Sequence, residues 1–100
     1  MIARTWHGAV TAEKSGEYLG LLRTVGLAEY LSVPGNRGAY VLERTDGDTV
    51  HFILISFWDS VEAIKAYAGE DISLPRYTKF DPDFLSDLAP SVQHHSVYSD

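Results

Sequence analysis

An α+β fold with one four-stranded antiparallel sheet is predicted for this 100-residue chain by three observations. Apolar alternation and helical stripes follow the order strand, helix, strand, strand, helix, strand. An Asp46-Gly47 pair sits between the second and third strands, and the run from His51 to Trp58 is apolar on both faces. That order with a tight central hairpin is the split βαβ, or ferredoxin-like, pattern, which places both helices on one side of the sheet. The chain reads as a single domain over 1–100.

Each element has its own justification. Ile2 to Gly8 is the expected first strand, with Trp6 and β-branched Thr5. Thr11 is placed to cap the first helix, whose Tyr18, Leu21, Leu22 and Val25 fall at i, i+3, i+4 and i+7 on one stripe. Gly26 is placed to end it, with Leu27 to Leu31 adding a turn before the VPGNRG loop. Gly38 to Arg44 is the second strand, and Asp46-Gly47 supplies the positive φ that a tight hairpin needs. Asp59, with Glu62 three residues on, has the spacing of a capping box for a second helix whose stripe is Val61, Ile64 and Ala68 and whose end is Gly69. A connection from Glu70 to Pro90 follows, long enough to suggest a role, with a short helix opened by Asp81-Pro82 and running through Leu88. Ser91 to Tyr98 is the expected last strand.

The third strand carries the main functional implication. Phe52, Leu54, Ser56 and Trp58 point one way and Ile53, Ile55 and Phe57 the other, because side chains alternate along a strand. Two helices cover one face, so the other requires a second layer, read here as the sheet of a second copy. A homodimer with facing sheets, enclosing a cavity in or beside the shared barrel, is the expected assembly.

Composition excludes several classes. An apolar content of 45% with 22% charged residues is that of a soluble globular domain. A net charge of −6 with eight scattered basic residues argues against nucleic acid and against an acidic membrane surface. No cysteine is present, which removes disulfides, thiolate catalysis and cysteine-ligated metal. The opening MIARTWHGAV reads as a strand without the apolar region of a signal peptide, and no run approaches a membrane span, so a cytoplasmic location is expected. No GxSxG elbow, glycine-rich phosphate loop or HExxH motif occurs.

The opening MIARTWHG, the turn PGNRGAYVL, the hairpin TDGDTVHFILISFWDS and the helix end AYAGED resemble the antibiotic biosynthesis monooxygenase domain of the dimeric α+β barrel superfamily. The resemblance spans nearly the whole chain. It implies oxygenation of a small aromatic, quinol or polyketide-type substrate with no bound cofactor, the deprotonated substrate itself reducing dioxygen. Such a site needs a dry aromatic cavity, a donor for the developing oxyanion and a proton acceptor. Arg4, Trp6 and His94 are the preferred catalytic residues, with Tyr67, Tyr77 and Trp58 as substrate-binding walls or phenol donors. The alternative function is a non-catalytic small-molecule-binding or stress-related dimeric module.

Each candidate also has a structural reading. Trp58 ends an apolar strand and is first a packing residue, and Tyr67 beside the helix stripe is likewise core with its hydroxyl at the edge. Arg4 shares a strand face with Ile2 and Trp6, so its charge requires a partner, a cavity or an exit to solvent; solvent exit is difficult from the middle of the sheet that the resemblance implies, which leaves the cavity in or beside the shared barrel and a structural ion pair as equal alternatives. His94 and His95 point to opposite faces, whereas His7, His51 and the neighbouring fourth strand can in principle gather three histidines, though with no carboxylate at ligand spacing no metal is assigned. Haem-degrading members of the superfamily carry an Asn, a Trp and an iron-ligating His, and the corresponding positions here are Trp6, Tyr67 and Tyr77, so haem degradation is not carried over, although tyrosine can ligate haem iron. Glu70, Asp71, Asp81 and Asp83 near the long connection are expected to serve capping and solubility, or to pair with Arg76 and Lys79 in a rim over the pocket.

Overall fold

The computed structural model describes residues 1–86 and 91–99. Its elements run β1 (Ile2–Thr11), α1 (Ala12–Leu21), a π-helical turn (Leu22–Gly26), α2 (Leu27–Leu31), β2 (Asn36–Asp46), β3 (Thr49–Trp58), α3 (Val61–Ala68), α4 (Asp81–Phe84) and β4 (Ser91–Ser96). The four strands form one antiparallel sheet in the order β2-β3-β1-β4, which is the ferredoxin-like arrangement expected. No helix among the described residues is long and apolar enough to cross a membrane.

The central strands are longer than their sequence signals. β1 continues to Thr11, pairing Ile2 with Trp58 at one end and Thr11 with Thr49 at the other. β2 and β3 pair through Asp46 and Thr49 around a turn in which Gly47 has φ 61. Positive φ at this first central residue and at no other in the turn is the pattern of a type II′ hairpin. β4 stops at Ser96, short of Tyr98. The short helix closes at Phe84, so the part of its expected span from 87 to 88 lies outside the described residues.

Two helix expectations are corrected. Gly26 does not end the first helix, because the chain passes through the π turn and remains helical to Leu31. Tyr18, Leu22, Gly26 and Tyr30 are all buried, whereas Val25 is exposed. A strict spacing of four drifts off one line in a helix of about 3.6 residues per turn, and a local π turn takes up the drift. The cap of α3 is Ser60, whose hydroxyl accepts from Ala63 N–H, rather than Asp59. Asp59 instead accepts from Arg37 Nε at 2.7 Å, and its own N–H is held by Gly35.

The core lies between the helices and one sheet face. Phe52, Leu54 and Trp58 of β3 meet Trp6 and Val10 of β1, with Tyr18, Leu22, Tyr30 and Ile64 above them. Tyr18 sits edge-on to Phe52 and donates its hydroxyl to the buried carboxylate of Asp81 at 2.9 Å, which also accepts from Thr78 N–H. Burial, reinforced by Asp81, pushes the Tyr18 phenol well above its ordinary value. Asp81 is therefore a brace for the first helix, and not part of a charged rim. Asp71 likewise binds Ser73, and Arg76 pairs with Glu29, so the expected pairing of these carboxylates with Arg76 and Lys79 is not formed.

Candidate functional site

The register decides which face carries the candidates. Arg4 is opposite Ser56 and Trp6 opposite Leu54 on one side, while on the other Arg4 is opposite His94 and Trp6 opposite Val92. All of these lie on the face under the helices, where Leu54, Ser56 and Trp58 are buried. Arg4 and Trp6 therefore lie on the helix side of the sheet, and not on the face that a second sheet would cover. They share strand parity with the β3 residues that make the helix-side core, and the opposite parity, not theirs, faces away.

Arg4 is the centre of this arrangement. Its side chain is 1% exposed, and Nη1 donates to Ile72 O at 2.6 Å and meets His94 Nε2 at 2.9 Å, while Nη2 donates to Leu74 O at 3.1 Å. A guanidinium has only donors, so His94 Nε2 must accept and the neutral imidazole carries its proton on Nδ1. Burial, followed by the charge of Arg4 and then His95, holds the His94 imidazolium below its ordinary range. Burial also lowers Arg4, against the opposing influence of Tyr30 and Tyr67. Among the described residues no carboxylate pairs with Arg4. Every partner it has among the described residues is neutral.

Two buried donors on this strand face lack acceptors. Among the described residues Arg4 Nε and Trp6 Nε1 have no hydrogen-bond partner, and Trp6 is only 3% exposed. A buried unpaired N–H costs roughly 1–3 kcal/mol, so each of the two donors would gain from an acceptor atom. By contrast Trp58 is fully satisfied: it is completely buried and donates to Ser56 Oγ at 2.8 Å.

Aromatic side chains form the neighbouring wall. Tyr30 and Tyr67 stack with centroids 4.5 Å apart, Trp58 lies 5.6 Å from Tyr67, and the Arg76 guanidinium sits 4.6 Å over the Tyr67 ring. Burial, then the adjacent Tyr67, raises the Tyr30 phenol well above its usual value. Tyr77 stands apart from this wall on the long connection and is 46% exposed. The structure therefore brings Arg4, His94, Tyr67 and Trp58 into one region with Trp6 beside them on the same strand face, and leaves Tyr77 at the surface. Haem does not fit this arrangement: the Tyr67 ring is covered by Tyr30 and Arg76, and the expected ligand position, Tyr77, faces outward.

Sequence reasoning missed Tyr30 and the carbonyls of Ile72 and Leu74. The four-residue spacing of Tyr18, Leu22, Gly26 and Tyr30 was a usable signal for the first. Backbone carbonyls have no side-chain signature. Among the described residues no cavity opens within a single chain, and the Asp71–Leu74 turn lies over the guanidinium.

The histidines divide between faces. His7 Nε2 and His51 Nδ1 are 2.9 Å apart on the open face, with planes 14° apart and centroids at 5.1 Å, a separation that places the rings edge to edge. His94 lies on the opposite face, and His95, which shares the face of His7, pairs with Ala3 four residues away along β1, so the conceivable three-histidine cluster is not formed and no group of three metal-ligating side chains occurs among the described residues.

Comparison with known proteins now decides the family. The family model described as antibiotic biosynthesis monooxygenase matches residues 1–74. The chain belongs to the antibiotic biosynthesis monooxygenase family. No curated protein matches this member of the family. Among solved structures, a proposed antibiotic biosynthesis monooxygenase from Nitrosomonas europaea aligns with TM-score 0.76 at 15% identity, covering 99% of this chain and all of its own. A second, from Deinococcus radiodurans, gives 0.73 at 17% identity, with 100% of this chain and 95% of that one covered. A Streptomyces coelicolor monooxygenase from the gene ActVA-Orf6, solved with nanaomycin D, gives 0.66 at 15% identity over 99% of this chain and 88% of that one. At these identities the likeness is one of fold.

Proposed function

We propose that this family member is a homodimeric monooxygenase that acts on a small aromatic, quinol or polyketide-type substrate without a bound cofactor. The observation that carries the reading is the buried Arg4 guanidinium, which has no anionic partner among the described residues and touches a neutral imidazole at 2.9 Å beside an aromatic wall. Family membership and the ligand-bound Streptomyces coelicolor monooxygenase support it.

In this mechanism Arg4 turns from His94 to the substrate oxygen, which frees His94 Nε2 to take the acidic proton. The guanidinium stabilises the oxyanion, and desolvation strengthens that attraction. The resulting carbanion gives an electron to dioxygen, the two radicals join as a C–O bond, and the peroxide takes the proton back from His94. Loss of water with the second C–H proton leaves a carbonyl: one CH2 and one O2 become one C=O and one H2O. Tyr67 and Trp58 bound the ring, and Trp6 Nε1 offers a second donor.

The apolar open face serves the dimer. Ile53, Ile55 and Phe57 are only half-buried in one chain, and Tyr40 and Leu42 are exposed beside them. Covering such a face is worth about 25 cal/mol per Å². The enzyme reading is tested by following dioxygen with metal-free and flavin-free protein and an anthrone or hydroquinone. Uptake equimolar with substrate supports it, and uptake no faster than in buffer contradicts it.

A second reading has one observation in its favour. Because His94 Nε2 already accepts from Arg4, the site as it stands holds anions better than it removes protons. A non-catalytic small-molecule-binding module would bind the same compounds and consume no oxygen.

A further inference from the structure

Arg4 is a buried cation whose charge no described residue neutralises. Leaving a charge buried without its counter-charge costs several kcal/mol by rough estimate, so an anion supplied from outside gains strongly there. Besides His94 Nε2 on Nη1, the guanidinium fork is occupied by two backbone oxygens of one turn, Ile72 O on Nη1 and Leu74 O on Nη2. The two Nη groups engaged by the turn are a pair with which a guanidinium can receive two oxygens of one planar group.

The turn has the features of an occupant that can leave. It is closed by Leu74 N–H to Asp71 O, and by Ser73 N–H and hydroxyl to the Asp71 carboxylate, so it is shaped from within. Leu74 is 58% exposed and lies outside the core, so the Leu74 end of the turn is the end held least by packing, whereas Ile72 is half-buried against the core. Beyond it the strap is tied down by Arg76, which pairs with Glu29 and lies over Tyr67. Arg4 Nε and Trp6 Nε1, meanwhile, remain unsatisfied, so the turn fills the fork without filling the site.

We infer that the Asp71–Leu74 turn is a built-in competitor, standing in for a planar anionic ligand with two neighbouring acceptor oxygens, which must displace the turn to bind Arg4. This rests on the reading of Arg4 as the group that holds substrate, and it adds both the class of ligand and the segment that gates it. A neutral monophenol satisfies neither the charge nor the fork. The enolate of a hydroxyquinone satisfies both.

The probe is 2-hydroxy-1,4-naphthoquinone, an anion at neutral pH, and binding is followed by quenching of the two tryptophans and by the quinone's own absorbance. Glu29→Gln and Asp71→Ala loosen the strap without touching Arg4. A competitor that is harder to seat leaves more of the protein able to bind, so each variant is expected to bind the probe about 3- to 10-fold more tightly than wild type. Arg4→Lys keeps the charge and loses the fork, and is expected to weaken binding by at least about 10-fold while remaining folded by circular dichroism. Hydrogen exchange over residues 71–76 is expected to accelerate when probe saturates the wild type. If Arg4→Lys weakens binding but the strap variants bind no tighter, and exchange is unchanged or slower, the turn is structural and the inference is overturned with the Arg4 reading intact. If Arg4→Lys binds as wild type, the Arg4 reading fails and the inference with it.

Discussion

Arg4 and His94 face each other across the β1–β4 seam, with the guanidinium Nη1 2.9 Å from the imidazole Nε2. The contact fixes the tautomer of His94 and disfavours its protonation. Its consequences reach stability, pH dependence and chemistry.

The first consequence is a stability change with pH. His94 has its folded pKa lowered from 6.5, so as pH falls below that value the unfolded chain takes up a proton that the folded chain refuses. Stability is therefore full above 6.5 and declines as pH drops toward the lowered folded value. His94→Gln removes this contribution. Thermal melts from pH 8 to about 5 should show a shallower loss for the variant than for wild type, and superimposable profiles would argue against the assignment.

Gly8 is predicted to tolerate no side chain. A Cβ there meets Trp6 Cη2 at 2.5 Å and Leu85 Cδ2 at 2.9 Å, so Gly8→Ala must displace an indole packed into the core. The expected loss is about 1–3 kcal/mol by urea unfolding, accompanied by altered tryptophan emission. An unshifted midpoint would mean that Trp6 is not packed as described.

Ser56→Ala isolates the structural role of Trp58. The substitution leaves the buried Trp58 N–H without its acceptor and is expected to cost about 1–3 kcal/mol. Because Trp58 walls the region without touching Arg4 by a hydrogen bond, ligand affinity at temperatures where the variant is folded should change little. A large affinity loss with unchanged stability would assign Trp58 a more direct role.

The open sheet face yields a test of assembly. Ile55 lies at its centre between Thr5 and Tyr40. Light scattering is expected to give a dimer for wild type and a monomer for Ile55→Glu, since a carboxylate placed in a dry interface is costly to desolvate. A wild-type monomer, or an undisturbed dimer in the variant, would remove the facing-sheet arrangement.

Much of this molecule is legible in its sequence, and the part that is not has identifiable causes. The β3 run and the Asp46-Gly47 turn are local signals, which is why the hairpin and strand order follow from them. Asp59 engages Arg37, more than twenty residues away in sequence, and the cap of α3 is Ser60, a long-range pairing that no local spacing announces. Alternation separates Arg4 and Trp6 from Thr5 and His7, but only pairing with β3 says which set lies under the helices. The site is half visible for the same reason: side chains carry the charge and aromatic character, whereas the Ile72 and Leu74 carbonyls that occupy the guanidinium belong to the fold.

The central claim is that Arg4 holds the reacting oxyanion, and the most direct measurement is kcat/KM for dioxygen uptake with an anthrone in wild type and Arg4→Gln, both verified as folded. Loss of a buried charged donor to a developing oxyanion predicts a fall of about 100-fold or more in the variant. Equal values in the two proteins would contradict the account.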